Sequence, residues 1–317
     1  MENPTLNELQ ILKSFQTLKL EDVEFKTIKE IEYQNKKYPI QAIIVGSQNK
    51  NAPTLGLFGG VHGLEKIGSQ VILAYFHSLF QQLHWDKNLR EEIKNFRIVS
   101  IPIINPAGMA RLSRSNPNNV DLMRNAPVEA QGKVRPLISG HRLSSKLPWY
   151  RGEKDQLEEE SLALINFVKE EMFQSKASLA LDVHSGFGMQ DQLWYPYAKQ
   201  KGGFPLEAEA LELKSLLDKT YPNHIYKFEA QSLNYLTHGD LWDYIFDLPE
   251  RKNFFLPLTL ELGSWNWVRK NPIQLFSKFG LFHPIKGHRH ARIMRRHLVL
   301  LNFLLKAINN HEAWTKK

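Results

Sequence analysis

Two apolar segments of this 317-residue sequence end in residues that can bind a metal ion. Residues 55–60 lead into His62 and Glu65, and residues 179–183 lead into His184. His62 and Glu65 are three residues apart, so one turn of the chain can direct both side chains to a common point. With His184 they form a set of two histidines and one glutamate, a common catalytic zinc arrangement that leaves one position open for water. Because the chain contains no cysteine, only histidines and carboxylates can hold a metal.

A third apolar segment, residues 258–260, leads into Glu261. In open α/β sheets, ligands bind beyond the carboxyl ends of the strands, so Glu261 is predicted to lie close to the metal-binding residues. A single histidine at a strand end is more often a hydrogen-bonded structural residue. Four ionisable residues that follow three apolar segments instead indicate one catalytic site.

Strand and helix patterns alternate along the chain and predict how these residues are positioned. An antiparallel strand pair is predicted within residues 23–47, with its turn at residues 34–37. Further strands are predicted at residues 54–60, 96–104, 177–184 and 254–262, and helices at residues 4–19, 67–82, 156–173, 206–220 and 286–310. This order predicts an α/β fold with one domain over residues 1–317, a three-layer sandwich with a central mixed β-sheet flanked by helices. Residues 107–150 lack periodicity and predict a long surface loop, which in compact domains is usually functional.

Six short motifs, in this order, resemble landmarks of the zinc metallocarboxypeptidases of the carboxypeptidase A type. They are His62-Gly63-Leu64-Glu65, Asn105-Pro106-Ala107-Gly108, Arg114-Ser115-Asn116 with residues 120–125, Tyr150-Arg151-Gly152, residues 182–185 with Tyr195-Pro196-Tyr197, and residues 258–262. Each motif is weak alone, but their order and the gaps between them resemble the family over residues 55 to 262.

The resemblance implies a role for each residue of the metal site. Zinc would be bound by His62, Glu65 and His184. Asp121 would accept a hydrogen bond from the far nitrogen of His62, which fixes the tautomer of that ring. Arg114 would stabilise the oxyanion of the tetrahedral intermediate. Glu261 would take a proton from the zinc-activated water and pass it to the leaving nitrogen.

The resemblance is weaker for the residues that would bind substrate. Arg124 would pair with a substrate carboxylate through its planar guanidinium. The family has an asparagine before this arginine, whereas this chain has Met123, so Asn125 is the candidate for the missing contact. Residues 239–246 resemble the segment that carries a substrate-capping tyrosine in the family. Phe246 stands at that position, and Tyr244 lies two residues before it.

Two alternatives to a peptidase remain at this stage. The Asn105-Pro106-Ala107 turn and the Glu261-Leu262-Gly263 strand end also resemble aspartoacylase-like deacylases, which cleave N-acyl amino acids. Those enzymes usually carry an additional β-domain after the glutamate, whereas residues 263–317 predict a loop and one helix. The other alternative is a non-catalytic protein that binds anionic polymers through a basic face. The expected substrate is a peptide or a small amide, including one that carries a free carboxylate.

The composition limits the other partners and the location. The chain has 41 basic and 33 acidic side chains, a net charge of +8, with a cluster at Arg289, Arg292, Arg295 and Arg296. The simplest interpretation of this cluster is a solvated helix face. No nucleic-acid-binding motif is visible, so no nucleic acid partner is expected. Without a signal peptide, a membrane span or a cysteine, the sequence predicts a cytoplasmic protein of unknown oligomeric state.

Overall fold

Apolar segments of the chain form one mixed eight-stranded β-sheet in the computed structural model, which describes residues 7–277 and 280–315. The strands are β1 (Val23–Tyr33), β2 (Lys36–Gly46), β3 (Thr54–Gly59), β4 (Arg97–Ile101), β5 (Ala177–Phe187), β6 (Gln192–Tyr195), β7 (Lys227–Ala230) and β8 (Phe254–Gly263). Their order across the sheet is β1-β2-β4-β3-β5-β8-β6-β7. Strands β4, β3, β5 and β8 are mutually parallel, whereas β1–β2, β2–β4 and β6–β8 are antiparallel pairs.

Helices cover both faces of this sheet. They are α1 (Asn7–Gln16), α2 (Lys66–Trp85), α3 (Lys87–Glu92), α4 (Pro106–Arg111), α5 (Glu159–Met172), α6 (Glu207–Thr220), α7 (Leu241–Asp247), α8 (Trp265–Lys270) and α9 (Gly287–Asn309). In β3, Phe58 packs against Phe167 of α5 and Trp242 of α7. Its neighbour Gly59 faces Ile72 of α2. Since successive strand residues point to opposite faces, α5 and α7 lie on one side of the sheet and α2 on the other. The predicted layered α/β fold is confirmed.

The central strands are buried because helices cover both of their faces. Every residue of β3 is buried, as is every residue of β8 after Phe254. Strands of this kind read as continuous apolar runs. Polar residues at the carboxyl ends of β3, β5 and β8 are therefore exceptions that need a local explanation.

Close backbone contact brings α2 against β5 beside the site. A Cβ atom on Gly68 would lie 2.2 Å from the carbonyl oxygen of Val183, so no larger residue fits at this position. Gly68 is in the first turn of α2, three residues after Glu65, and Val183 precedes His184. This contact holds the two segments that carry the predicted metal ligands next to each other.

The remaining expectations were met in part. The turn between β1 and β2 consists of Gln34 and Asn35, both with positive φ, within the predicted turn. Residues 107–150 are mostly irregular, as predicted, apart from α4 and a 3-10 turn at Leu122–Arg124. Strands β6 and β7 and helices α3, α7 and α8 were not predicted. No helix in the described part of the chain is both long and apolar enough to cross a membrane.

Candidate metal and catalytic site

The parallel pairing of the central strands brings the predicted site residues to one edge of the sheet. In the register of β5 and β8, His184 lies opposite Glu261. Strand β3 runs parallel to β5 on its other side and ends at Gly59, so His62 and Glu65 follow at the same edge. The site therefore forms at the carboxyl ends of three adjacent strands, where the sequence predicted it.

His62, Glu65 and His184 form a compact buried group. One ligand atom from each of the three residues lies within 4.8 Å of the others. Nδ1 of His62 is 2.9 Å from Oε1 of Glu65, and Nδ1 of His184 is 3.2 Å from Oε2. The backbone N–H of Ser185 also donates to Oε2 of Glu65, at 3.0 Å. Both Nδ1 atoms thus face the same carboxylate.

The other nitrogen of each histidine contacts a carboxylate outside the group. Nε2 of His62 is 3.0 Å from Asp121, and Nε2 of His184 is 2.8 Å from Asp182. Trp242 of α7 donates its indole N–H to the same oxygen of Asp182, at 2.9 Å. Such carboxylates fix the tautomer and orientation of a metal-binding histidine. The role of Asp182 was not predicted, although alternation along β5 puts it on the same face as His184.

These contacts set the charges in the site. Burial alone would raise the pKa of Glu65, but attraction to His62 and hydrogen bonds from both histidines lower it below its usual range. Burial likewise opposes ionisation of Asp121, yet the charges of Arg114 and His62 keep its pKa well below normal. For His184, burial favours the neutral ring, but Asp182 and Glu65 raise its pKa well above the ordinary value. The carboxylates of Glu65 and Asp121 therefore stay ionised.

A zinc ion fits this group of residues. Two histidine nitrogens and one carboxylate, all buried, are the donor set of many catalytic zinc sites. Each histidine has a carboxylate on its second nitrogen, which leaves its Nδ1 directed at Glu65. The expected cofactor is thus consistent with the chemistry of the residues that the fold brings together.

Glu261 lies beside the metal group with one carboxylate oxygen held in place. Oε1 accepts a hydrogen bond from the backbone N–H of Phe187, at 2.9 Å. Oε2 makes no hydrogen bond within the described residues and belongs to a side chain that lines the cavity. Burial, followed by repulsion from Glu65, raises the pKa of Glu261 to about 8. A bound cation would act in the opposite direction.

Arg114 connects the metal ligands to the carboxylates behind them. Its Nε donates to Oδ2 of Asp121, at 2.8 Å, and its Nη1 donates to Oε1 of Glu65, at 3.2 Å. Nη2 makes no hydrogen bond to the part of the chain that the structure describes. The side chain is partly exposed and lines the cavity, so this nitrogen can donate to a ligand there.

A cavity of about 400 Å³ opens over the metal group. Arg124, the residue predicted to bind a substrate carboxylate, lines it together with Met123 and Tyr235. Burial raises the pKa of the Tyr235 hydroxyl, and the charge of Arg124 acts in the opposite direction. Asp240 also lines the cavity; its Oδ1 caps α7, while its buried Oδ2 has no hydrogen-bond partner among the described residues. Tyr235 and Asp240 were not predicted as site residues.

Three of the predicted substrate-binding residues do not reach this cavity. Asn125 is buried elsewhere: its amide donates to the carbonyls of Arg151 and Gln156, and its oxygen accepts from the N–H of Glu158. Phe246 is 1% exposed and packs in the core, 4.7 Å from the ring of Phe204. Tyr244 packs against the core on α7 and is not part of the cavity wall. These residues serve the fold, and Tyr235 is the tyrosine at the site.

Comparisons with known proteins agree with this geometry. The sequence profile described as zinc carboxypeptidase matches residues 11–264. Among solved structures, thrombin-activatable fibrinolysis inhibitor is 20% identical with a TM-score of 0.70, and the match covers 96% of this chain and 74% of that one. Carboxypeptidase A from Helicoverpa armigera is 17% identical with a TM-score of 0.64, covering 96% of this chain and 71% of that one.

A metallo-carboxypeptidase from Burkholderia cenocepacia is 14% identical with a TM-score of 0.58, covering 95% of this chain and 68% of that one. No curated protein matches the sequence at a significant level. At these identities the solved structures establish the shared fold, whereas the profile match extends over most of the chain. The chain therefore belongs to the zinc carboxypeptidase family, and it is a zinc-dependent peptidase.

Proposed function

We propose that this peptidase cleaves the bond next to a free C-terminal carboxylate, which Arg124 binds. The observation that carries the proposal is a buried guanidinium in the cavity with donor capacity to spare. Arg124 is 4% exposed, its Nη1 donates to the carbonyl of Met123 at 3.1 Å, and its Nε has no partner among the described residues. A buried cation without a full set of acceptors favours an anionic ligand.

The neighbours of Arg124 support a site for one carboxylate. Met123 lines the same cavity, but its side chain offers no hydrogen-bond donor, so the second contact must come from elsewhere. Tyr235, which lines the cavity with Arg124 and interacts with its charge, has a hydroxyl that can supply it. An arginine and a tyrosine together offer several N–H and O–H donors to one carboxylate.

The proposed chemistry divides between the zinc ligands and two further residues. His62, Glu65 and His184 would hold zinc, which supplies a Lewis acid and an activated water. Glu261 takes a proton from the attacking water through Oε2 and delivers it to the leaving nitrogen, while the N–H of Phe187 keeps its carboxylate oriented. Arg114 donates from Nη2 to the oxygen that becomes negative when the carbonyl is attacked.

The test compares the zinc-loaded protein on one peptide with a free or an amidated C-terminus. We expect the free peptide to be hydrolysed faster, and Arg124→Gln to remove that preference by lowering kcat/KM roughly 30-fold or more for the free peptide only. Arg135→Gln is the matched control, because Arg135 is a second cation that lines the same cavity. It should leave the preference in place.

Two results would contradict the proposal. Equal rates on free and amidated peptides would show that no terminal carboxylate is bound. Faster hydrolysis of N-acyl amino acids than of either peptide would identify a deacylase with the same metal chemistry.

A further inference from the structure

The positive charge of this chain is concentrated in one stretch after the last strand. Residues 262–311 contain nine lysines and arginines and no aspartate or glutamate. The chain has 41 basic and 33 acidic side chains in all, so the rest carries 32 against 33 and is nearly neutral. The excess charge therefore belongs to the segment that contains α8 and α9, and a solvated helix face does not require such a complete exclusion of acids.

Within this stretch, a short 3-10 helix, Pro272–Phe276, exposes its apolar side chains. Ile273 is 77% exposed, Leu275 54% and Phe276 91%. The polar residue between them, Gln274, is buried and donates its amide to the carbonyls of Gly280 and His283, at 2.6 and 2.9 Å. The buried amide of Gln274 thus fixes the turn so that its three apolar side chains face solvent. In an ordinary surface turn the polar side chains are exposed and the apolar ones are buried.

Exposed cations precede and follow this apolar turn in the chain. Arg269 and Lys270 are exposed at the end of α8, immediately before it, and Lys286 and Arg292 are exposed at the start of α9. Arg289 joins the two helices, since its Nη1 donates to the carbonyl of Trp267 at 2.8 Å. Lys270, Lys286 and Arg292 make no ion pair with any described residue, and their charges are available to a partner.

We propose that this basic-apolar surface, formed by Ile273, Leu275 and Phe276 with Arg269, Lys270, Lys286 and Arg292, binds the surface of an anionic lipid bilayer. Basic side chains attract the phosphates of anionic lipids, and an exposed aromatic or aliphatic side chain gains free energy by entering the headgroup boundary. A nucleic acid would take up the charges equally well but would leave Phe276 and Ile273 in water. The combination of the two features favours lipid.

The same segment forms part of the wall of the catalytic cavity. Trp265, Leu281 and Phe282 line the cavity, and the hydroxyl of Ser185 donates to the carbonyl of Phe282 at 2.7 Å. Because these residues flank the apolar turn in the chain, bilayer contact holds the cavity next to the membrane surface. The membrane inference rests on charge and exposure and is independent of which bond the enzyme cleaves.

The test is cosedimentation of the full chain with vesicles at physiological ionic strength. We expect binding to vesicles made of equal parts phosphatidylglycerol and phosphatidylcholine, and little binding to pure phosphatidylcholine. Lys270→Gln, Lys286→Gln and Arg292→Gln together should weaken partitioning on the order of 100-fold. Ile273→Ser with Phe276→Ser should weaken it at least about tenfold.

Matched controls change similar side chains elsewhere on the surface. Trp85→Ser with Leu143→Ser removes two apolar side chains that are 70% and 75% exposed, and Lys36→Gln, Lys133→Gln and Lys201→Gln remove three exposed charges. Both controls should bind vesicles like the unmodified chain.

Three outcomes would overturn the membrane proposal. The first is no binding to anionic vesicles, and the second is an equal loss in the control variants. The third is full vesicle binding by the Ile273 and Phe276 variant together with displacement by a DNA duplex, which would define a general polyanion site.

Discussion

Glu160 should make the stability of this protein depend on pH in a way that one substitution removes. The residue lies in the first turn of α5 and is 2% exposed. Its Oε2 accepts a hydrogen bond from the amide of Asn116, at 3.1 Å, and its Oε1 has no partner in the described part of the chain. Asn116 in turn accepts the N–H of Val120, just before Asp121. Glu160 thus supports the loop that carries Asp121 and Arg124.

The size of the effect follows from the pKa. Burial raises the pKa of Glu160 to about 7, compared with 4.5 for an unperturbed glutamate. The folded state therefore binds this proton more tightly than the unfolded state, and the resulting stabilisation is complete below pH 4.5 and is lost as the pH rises through 7. A pKa difference of about 2.5, at about 1.4 kcal/mol for each pH unit, corresponds to roughly 3.5 kcal/mol, most of which develops between pH 4 and pH 8.

Urea unfolding of Glu160→Gln and the unmodified chain between pH 4 and pH 8, with a chelator present to exclude metal uptake, measures this difference. As the pH rises from 4 to 8, the free energy of unfolding of the variant should increase by about 3 kcal/mol relative to that of the unmodified chain. Glu159→Gln removes an exposed carboxylate of the same helical turn that pairs with Lys29. The free energy of unfolding of this control should change with pH in the same way as that of the unmodified chain. A constant difference between Glu160→Gln and the unmodified chain would refute the reasoning.

Three further predictions concern the site. Glu261→Gln should retain zinc and its melting temperature while turnover falls on the order of 10²–10⁴-fold, and near-normal turnover with zinc bound would exclude Glu261 as the base. Asp182→Ala should weaken zinc binding about 10–100-fold in a chelator competition, because Nε2 of His184 loses its partner; unchanged affinity would mean that Asp182 only supports the fold. Asp240→Asn should reduce kcat/KM roughly tenfold for peptides that end in lysine or arginine relative to those that end in leucine. Asp240 lines the cavity, and its Oδ2 is a buried acceptor without a partner among the described residues; equal effects on both peptides would rule this out.

The fold was largely predictable because the central strands are apolar on both faces. Strands β3, β5 and β8 read as short apolar runs between helical segments, and their parallel order follows from the intervening helices. Strands β6 and β7 could not be predicted, because each has only four residues and is defined by pairing with distant parts of the chain. Periodicity is not informative over so few residues.

The site was predictable where local spacing decides which way a side chain points. His62 and Glu65 share one turn, and Asp182 was accessible to the same reasoning as His184. Asn125 was misassigned because the side chains of two adjacent residues can point in different directions. The 3-10 turn at Leu122–Arg124 sends Arg124 into the cavity and Asn125 toward Arg151. Tyr235 carries no local signal, since tertiary packing alone brings it to Arg124.

The two carboxylates behind the metal-binding histidines are held by different kinds of structure, one by the central sheet and the other by a loop. Asp182 and His184 lie in the same central strand, so their pairing persists until the sheet itself unfolds. Asp121 reaches His62 from a loop 59 residues further along the chain, and that contact is broken whenever the loop detaches. Local openings cost less free energy than global unfolding. We therefore expect His62 to release the metal first, while the sheet still holds His184 in place. Amide hydrogens of residues 114–125 should exchange faster once zinc has been removed.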